Sequence, residues 1–296
     1  MAALAVAIAA AVVWVTQLKG APVGQQAVVP RCVAKTDAGD AALAPDQAAN
    51  AALIAAVADA KGMSPRAVTI ALATAMQESK LRNLDYGDLD SLGLFQQRPS
   101  QGWGTEEQVQ DPIYAAGAFY DALALVPDFE NLPITEAAQA VQRSAYPDLY
   151  AQHETTARSF ASALTGHSPA ALACVFHAAT EPGSADTLLA TLATEWGQPM
   201  AAHASVVTPS ATTSASPAPA TQIRLQGDSA TQTWALAQWA VAKGADLGVV
   251  TVQVDDLVWH RDKAEWVQAE TGATAGSGSA TVPAAIVTLA GPAAAQ

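Results

Sequence analysis

The chain has 296 residues, enough for two domains, and 51% of them are hydrophobic, with alanine supplying much of that share. Its formal net charge of −13 excludes a phosphate-backbone partner, because nucleic-acid binding needs a basic patch; it does not exclude a neutral glycan. The two cysteines, Cys32 and Cys174, show no C-x-x-C or Cys/His ligand spacing, so no metal site is expected.

Residues 1–16 carry no charged side chain. As a helix they span about 24 Å, short of a normal bilayer crossing. Residues 1–18 therefore read as a signal peptide or short signal anchor, with Trp14 and Lys19 at an interface and no positive segment ahead of them. The alternative is a buried alanine-rich helix. Residues 19–44, with Gly20, Pro22, Gly24 and Pro30, read as a spacer. Pro45 to Lys61 predicts a helix stopped by Gly62. Ser64-Pro65 supplies a capping hydroxyl and then a proline at the first helical position. The helix that follows runs to about Lys80, and Val68, Ala71, Leu72, Ala75 and Met76 make its apolar face. Glu78 falls in its last turn. Residues 83–92 have turn chemistry and predict a loop or small hairpin. Further helices are expected from Asp111-Pro112 to about Val126, from Thr135 to about Ala145, and from Asp148 to Leu164. Residues 45–166 thus read as an all-helical domain with one irregular acidic loop.

From Ala170 the character changes. Ser184 to Trp196 and Ser229 to Lys243 predict helices. Val249 to Val254, Leu257 to His260, the stretch around Trp266, and Ala284 to Leu289 predict strands. Residues 204–221 are rich in Ser, Thr, Ala and Pro and read as a flexible linker. Residues 170–292 thus form a small α/β (α+β) C-terminal domain. Trp234 and Trp239 sit about 140° apart round a helix, so they do not share a face, and at least one belongs to a core.

Glu78-Ser79 closes an apolar helix. A loop with Asp85, Asp88 and Asp90 follows, then the turn Gly93-Leu94-Phe95-Gln96-Gln97. This pattern resembles the lysozyme-like lytic transglycosylases, in which Glu-Ser ends a helix and a Gly-Leu-(Met/Phe)-Gln turn lines the cleft. The run from Ser91 to Gly104, Ser-Leu-Gly-Leu-Phe-Gln-Gln-Arg-Pro-Ser-Gln-Gly-Trp-Gly, is similar to that of a group of secreted actinobacterial proteins. That group carries a similar tail, with Trp-Ala-Leu-Ala-Gln-Trp on its helix, matched here by Trp234 to Trp239. The resemblance implies a mainly α lysozyme-like domain over 45–166, with 204–221 inserted in the second domain. It also implies an extracytoplasmic enzyme, membrane-anchored or secreted to the cell wall. Its partners would be peptidoglycan glycan strands, and the membrane through the N-terminal segment. The expected reaction is lytic transglycosylation at the MurNAc-GlcNAc β-1,4 bond, without a cofactor.

Such cleavage needs an acid to protonate the leaving oxygen and something to stabilise the oxocarbenium-like charge. Glu78 is the candidate acid. The negative end of the helix dipole and partial burial both raise a carboxyl's pKa, which suits proton donation at neutral pH. The bland alternative is an i,i+4 pair with Arg82. Asp88 and Asp90 either assist across a cleft or make Asx turns. Gln96 and Gln97 offer amides to sugar acetamido and hydroxyl groups, above a core made by Leu94 and Phe95, and Ser79 belongs to the same motif. Tyr86 either stacks on a sugar or covers the core. Trp103 is either a sugar platform or a structural plug. The family's Tyr-Asn near the domain end is matched by Tyr146 in Ser144-Ala145-Tyr146-Pro147, without the Asn. Gln142 or Tyr150 can take the missing part. A catalytically silent wall-binding protein and a lysozyme-type hydrolase are the competing readings. In an oxidising compartment Cys32 and Cys174 pair, closing a loop worth roughly 5 kcal/mol; otherwise they are two buried thiols.

Overall fold

The computed structural model describes residues 28–142, 147–207, 220–269 and 282–291. The expected N-terminal hydrophobic helix (1–18), Tyr146, and residues 208–219 of the expected insertion lie outside the described residues. The fold is α+β, and every strand pairing among the described residues is antiparallel.

The expected spacer is corrected first. Arg31–Thr36 (β1) and Gly39–Leu43 (β2) form a hairpin, and β1 is the middle strand of a sheet ordered β2-β1-β3, with β3 at Leu172–Val175. Cys32 and Ala34 of β1 point inward, an alternation of period two. Their partners on β3 lie far along the chain, which is why a local reading passes over the strand. Cys32 faces Cys174 across the β1–β3 register, and the two are joined by a disulfide.

Pro45–Ala60 (α1) is buried along most of its length, from Ala48 to Val57 and Ala58, because its small side chains let neighbours approach on several sides. It packs against Pro65–Ser79 (α2), Pro112–Ala124 (α3) and Glu154–Leu164 (α5); Ile134–Gln142 (α4) packs against α2 and α3. Ser64 caps α2 by accepting from the Ala67 N–H at 3.4 Å, with Pro65 beside it, as the sequence suggests. The helix expected from Asp148 begins instead with a 3-10 segment, Pro147–His153, and becomes α-helical at Glu154.

The C-terminal part contains Ala185–Glu195 (α6), Ala230–Ala242 (α7) and a six-stranded sheet. Its strands are Ser205–Val207 (β4), Gln222–Leu225 (β5), Val249–Val254 (β6), Leu257–His260 (β7), Trp266–Gln268 (β8) and Ala285–Leu289 (β9), in the order β4-β5-β9-β6-β7-β8. The start of the expected insertion is therefore an edge strand, β4, whose Val206-Val207 pair suits a ladder with β5. Helix α7 packs on α1, α5, β3 and the large sheet. Gln238, buried in its middle, accepts from the Leu172 N–H (2.7 Å) and donates to the carbonyls of Ala163 (2.7 Å) and Ser168 (3.1 Å). The Trp259 indole donates to the Cys174 carbonyl and that of Trp266 to the Leu172 carbonyl. The buried apolar side chains of the helical part and of the C-terminal part form one contiguous cluster.

Candidate active site

The end of α2 is set by contacts that free the chain from the helix. Lys80 and Leu81 both have left-handed backbones (φ 54° and 56°), a conformation that costs of order 1 kcal/mol or more for each non-glycine residue. Burial of Leu81 offsets part of that cost. Two amides of α1 catch the freed carbonyls: Gln47 donates to Lys80 and Asn50 to Leu81, each at 2.8 Å. Glu78 and Ser79 are thereby held at a fixed height on the helix.

Ser79 is buried, and its hydroxyl lies 2.7 Å from the Leu94 carbonyl and 3.0 Å from that of Ala75. This is a correction of the expected substrate contact: Ser79 fastens the 93–96 turn to α2. Leu92 and Gln97 exchange backbone hydrogen bonds at 3.0 Å and close that turn. Gly93 (φ 78°) is required there, since a Cβ would sit 2.2 Å from the Val109 carbonyl oxygen. Leu94 and Phe95 are core residues, with Phe95 stacked on Phe119 at 4.6 Å between centroids.

A groove of about 900 Å³ opens beside this turn. Glu78, Gln96 and Gln142 line it together with Asp88, Gln101 and Trp103, and Leu125 and Val126 make an apolar wall. Tyr150, in the 3-10 segment, donates its hydroxyl to Glu78 Oε1 at 2.6 Å. Gln142 donates to the Phe95 carbonyl at 2.7 Å and also hydrogen-bonds the Glu78 carboxyl. Burial pushes the Glu78 carboxyl above its ordinary pKa, and the bonds from Tyr150 and Gln142 pull it part of the way back. The i,i+4 pair with Arg82 does not form: the Arg82 guanidinium bonds Asp46 at 2.8 Å.

The other expected site residues divide. Gln96 lines the groove, with its amide nitrogen 3.3 Å from the Tyr86 carbonyl and 3.2 Å from that of Gly93. Gln97 does not reach the groove; it is 2% exposed and donates to the Ala115 carbonyl at 3.0 Å. The hairpin bridge turns it inward, which overturns the expectation that it contacts sugar. Asp90 is also corrected. Its carboxylate takes Arg98 Nε at 2.7 Å, the Ser100 N–H at 2.7 Å and the Ser100 hydroxyl at 2.9 Å, and these donors hold it well below the usual carboxylate range. Asp88 lines the groove, and its carbonyl accepts from the Ser91 N–H. Tyr86 is 67% exposed and covers no core. Trp103 is half-buried; it packs on the core and lines the groove.

A scan against protein-family models finds no match for this chain, and a search of the curated proteins finds none either.

Sequence reasoning passes over one supporting contact. Gln77, next to Glu78, accepts at Oε1 from Gln152 Nε2 (3.0 Å) and lies 3.2 Å from His153 Nε2, so it ties the Tyr150 segment to α2. No local pattern marks it, because its partners lie more than seventy residues away. Among the described residues no group of three or more His, Cys, Asp or Glu side chains is placed to hold a metal ion, and no helix is long and apolar enough to cross a membrane.

Proposed function

We propose that the groove holds a peptidoglycan glycan strand and that Glu78 cleaves its β-1,4 bond by lytic transglycosylation. Glu78 gives its proton to the glycosidic oxygen as the C1–O bond breaks. The resulting carboxylate takes the proton of the muramyl 6-hydroxyl as that oxygen bonds to C1, which yields a 1,6-anhydro end. The observation that carries this reading is the Glu78 carboxyl, raised in pKa by burial, on a groove large enough for sugar rings. Tyr150 and Gln142 orient it. In this reading Glu78 does both proton transfers and the N-acetyl group of the sugar whose C1 reacts stabilises the charge there; Asp90, bound to Arg98 and Ser100, takes no part. The lysozyme-like character of residues 45–166 belongs to this proposal, and so does the assignment to the cell wall. The disulfide fits an oxidising, extracytoplasmic setting, and the apolar N-terminal stretch would serve export or tethering.

A second reading, a wall-binding protein without turnover, is favoured by the inward commitment of Ser79 and Gln97, which leaves fewer polar groups facing the groove. Incubating the full chain with purified peptidoglycan and weighing the soluble fragments by mass spectrometry separates the readings. Anhydro ends support the transglycosylase and reducing ends a hydrolase. Retention on the wall without fragments supports the binder.

A further inference from the structure

Two carboxylates other than Glu78 stand near the groove, and they are not equivalent. Asp90 is neutralised by the guanidinium of Arg98, with which it forms an ion pair at 2.7 Å. Asp88 lines the groove and makes no side-chain hydrogen bond or ion pair among the described residues. The remaining polar lining near it is uncharged: Ser91, Gln96, Gln101 and Gln142. Arg98 is the one cationic side chain among the described lining residues, and Asp90 occupies it. The groove therefore presents an uncompensated negative charge, in a protein whose own net charge of −13 adds to the potential.

The turn that carries Asp88 is fixed. The Ser91 N–H bonds the Asp88 carbonyl at 3.0 Å, and Asp90, two residues on, is tied down by Arg98 and Ser100. The carboxylate is thus presented to the groove by an anchored turn, not by a free loop tip. A neutral acetamido group offers it only an uncharged N–H donor. A β-1,4-linked 2-amino sugar that lacks its acetyl group carries an ammonium, which the carboxylate attracts.

We propose that Asp88 makes the groove selective for β-1,4 glycan strands that bear a free 2-amino group on a sugar other than the one whose C1 reacts, over fully N-acetylated strands. The inference rests on the groove being the glycan site proposed above. A solvent-facing ion pair sets the scale of the preference: about fivefold at low salt, fading as salt screens it.

The test uses the full chain carrying Glu78→Gln, so that ligands are not cleaved, and follows tryptophan fluorescence at mildly acidic pH. The probes are the β-1,4 tetrasaccharides of glucosamine and of N-acetylglucosamine. The amino tetramer is expected to bind about fivefold more tightly. Adding Asp88→Asn should equalise the two affinities, while adding Asp186→Asn, the same charge change on α6, should leave the preference in place. Asp88→Ser serves as a second variant if Asp88→Asn misfolds. Equal or weaker binding of the amino tetramer, binding of neither probe, or a preference that survives loss of Asp88 overturns the inference. Cleavage of peptidoglycan by the wild-type chain is measured separately. Cleavage without an amino-sugar preference sinks this inference alone, and a preference without cleavage of any strand sinks the glycosidase reading alone.

Discussion

The Tyr150 hydroxyl lies 2.6 Å from Glu78 Oε1 across a sequence gap of 72 residues. The bond stabilises the ionised carboxylate, so it opposes burial, which favours the protonated form. Tyr150→Phe removes the donor and leaves the ring. The Glu78 pKa then rises further. For a general acid this moves the alkaline limb of the pH–rate profile to higher pH, while loss of orientation lowers kcat by about tenfold, as expected for a hydrogen bond to a charged group. A pH profile of peptidoglycan cleavage by both proteins checks the direction; a limb that stays put or moves down would refute it.

Gln77 ties the segment bearing Tyr150 to the helix bearing Glu78 through Gln152 and His153. Gln77→Leu keeps bulk but removes the acceptor. Because Gln77 does not line the groove, the expected result is a fall in kcat of roughly tenfold or more with KM little changed, the signature of a misplaced catalytic group. Steady-state kinetics on soluble glycan fragments measure the split. A rise in KM with kcat intact would mean that Gln77 acts on binding instead.

Glu78→Gln removes the proton donor and should lower turnover by about 10²- to 10⁴-fold. It also has a stability consequence with a defined sign. The ordinary glutamate pKa of 4.5 is raised by burial in the folded protein. Between that value and the raised one, the native state holds a proton that the unfolded chain has released. Stability of the wild type therefore falls as pH rises through this window. Glu78→Gln has no such dependence, so its thermal midpoint should gain on the wild type with rising pH, and the gain should be absent in acid below the ordinary value. Melting curves across the pH range test this, and a gap that widens toward acid would contradict it.

The Cys32–Cys174 bridge closes a loop with a sequence separation of 142. Loop-closure entropy puts its contribution at about 5 kcal/mol. Cys32→Ser with Cys174→Ser should lower the urea midpoint, and with it the extrapolated unfolding free energy by an amount of that order, and reductant should do the same to the wild type alone. Denaturant titrations with and without reductant decide the matter. Equal midpoints for the bridged and unbridged proteins would show that the β1–β3 ladder holds without the covalent link.

Helix spans, the Ser64 cap and strands β6 to β9 were legible in the sequence because caps, periodicity and turn chemistry act within a few residues of one another, whereas β4 and β5 were not. The same locality placed Glu78 in the last turn of its helix. Inward or outward direction within the 93–97 turn was not legible. Gln96 and Gln97 are chemically identical neighbours, and only the Leu92–Gln97 bridge sends one to the groove and the other to Ala115. Asp88 and Asp90 are likewise alike in sequence, and Arg98 and Ser100 decide between them.

What the residues determine by themselves is an acidic, alanine-rich chain with a carboxyl at a helix end and a turn close behind it. Tertiary structure alone decided that residues 31–43 are sheet and not spacer, and that Tyr150 rather than Arg82 partners Glu78; the Cys32–Cys174 bridge was expected from the two cysteines of an exported chain. The reason is physical. A buried polar group must find a partner wherever folding brings one within about 3 Å, and that distance is unrelated to distance along the chain.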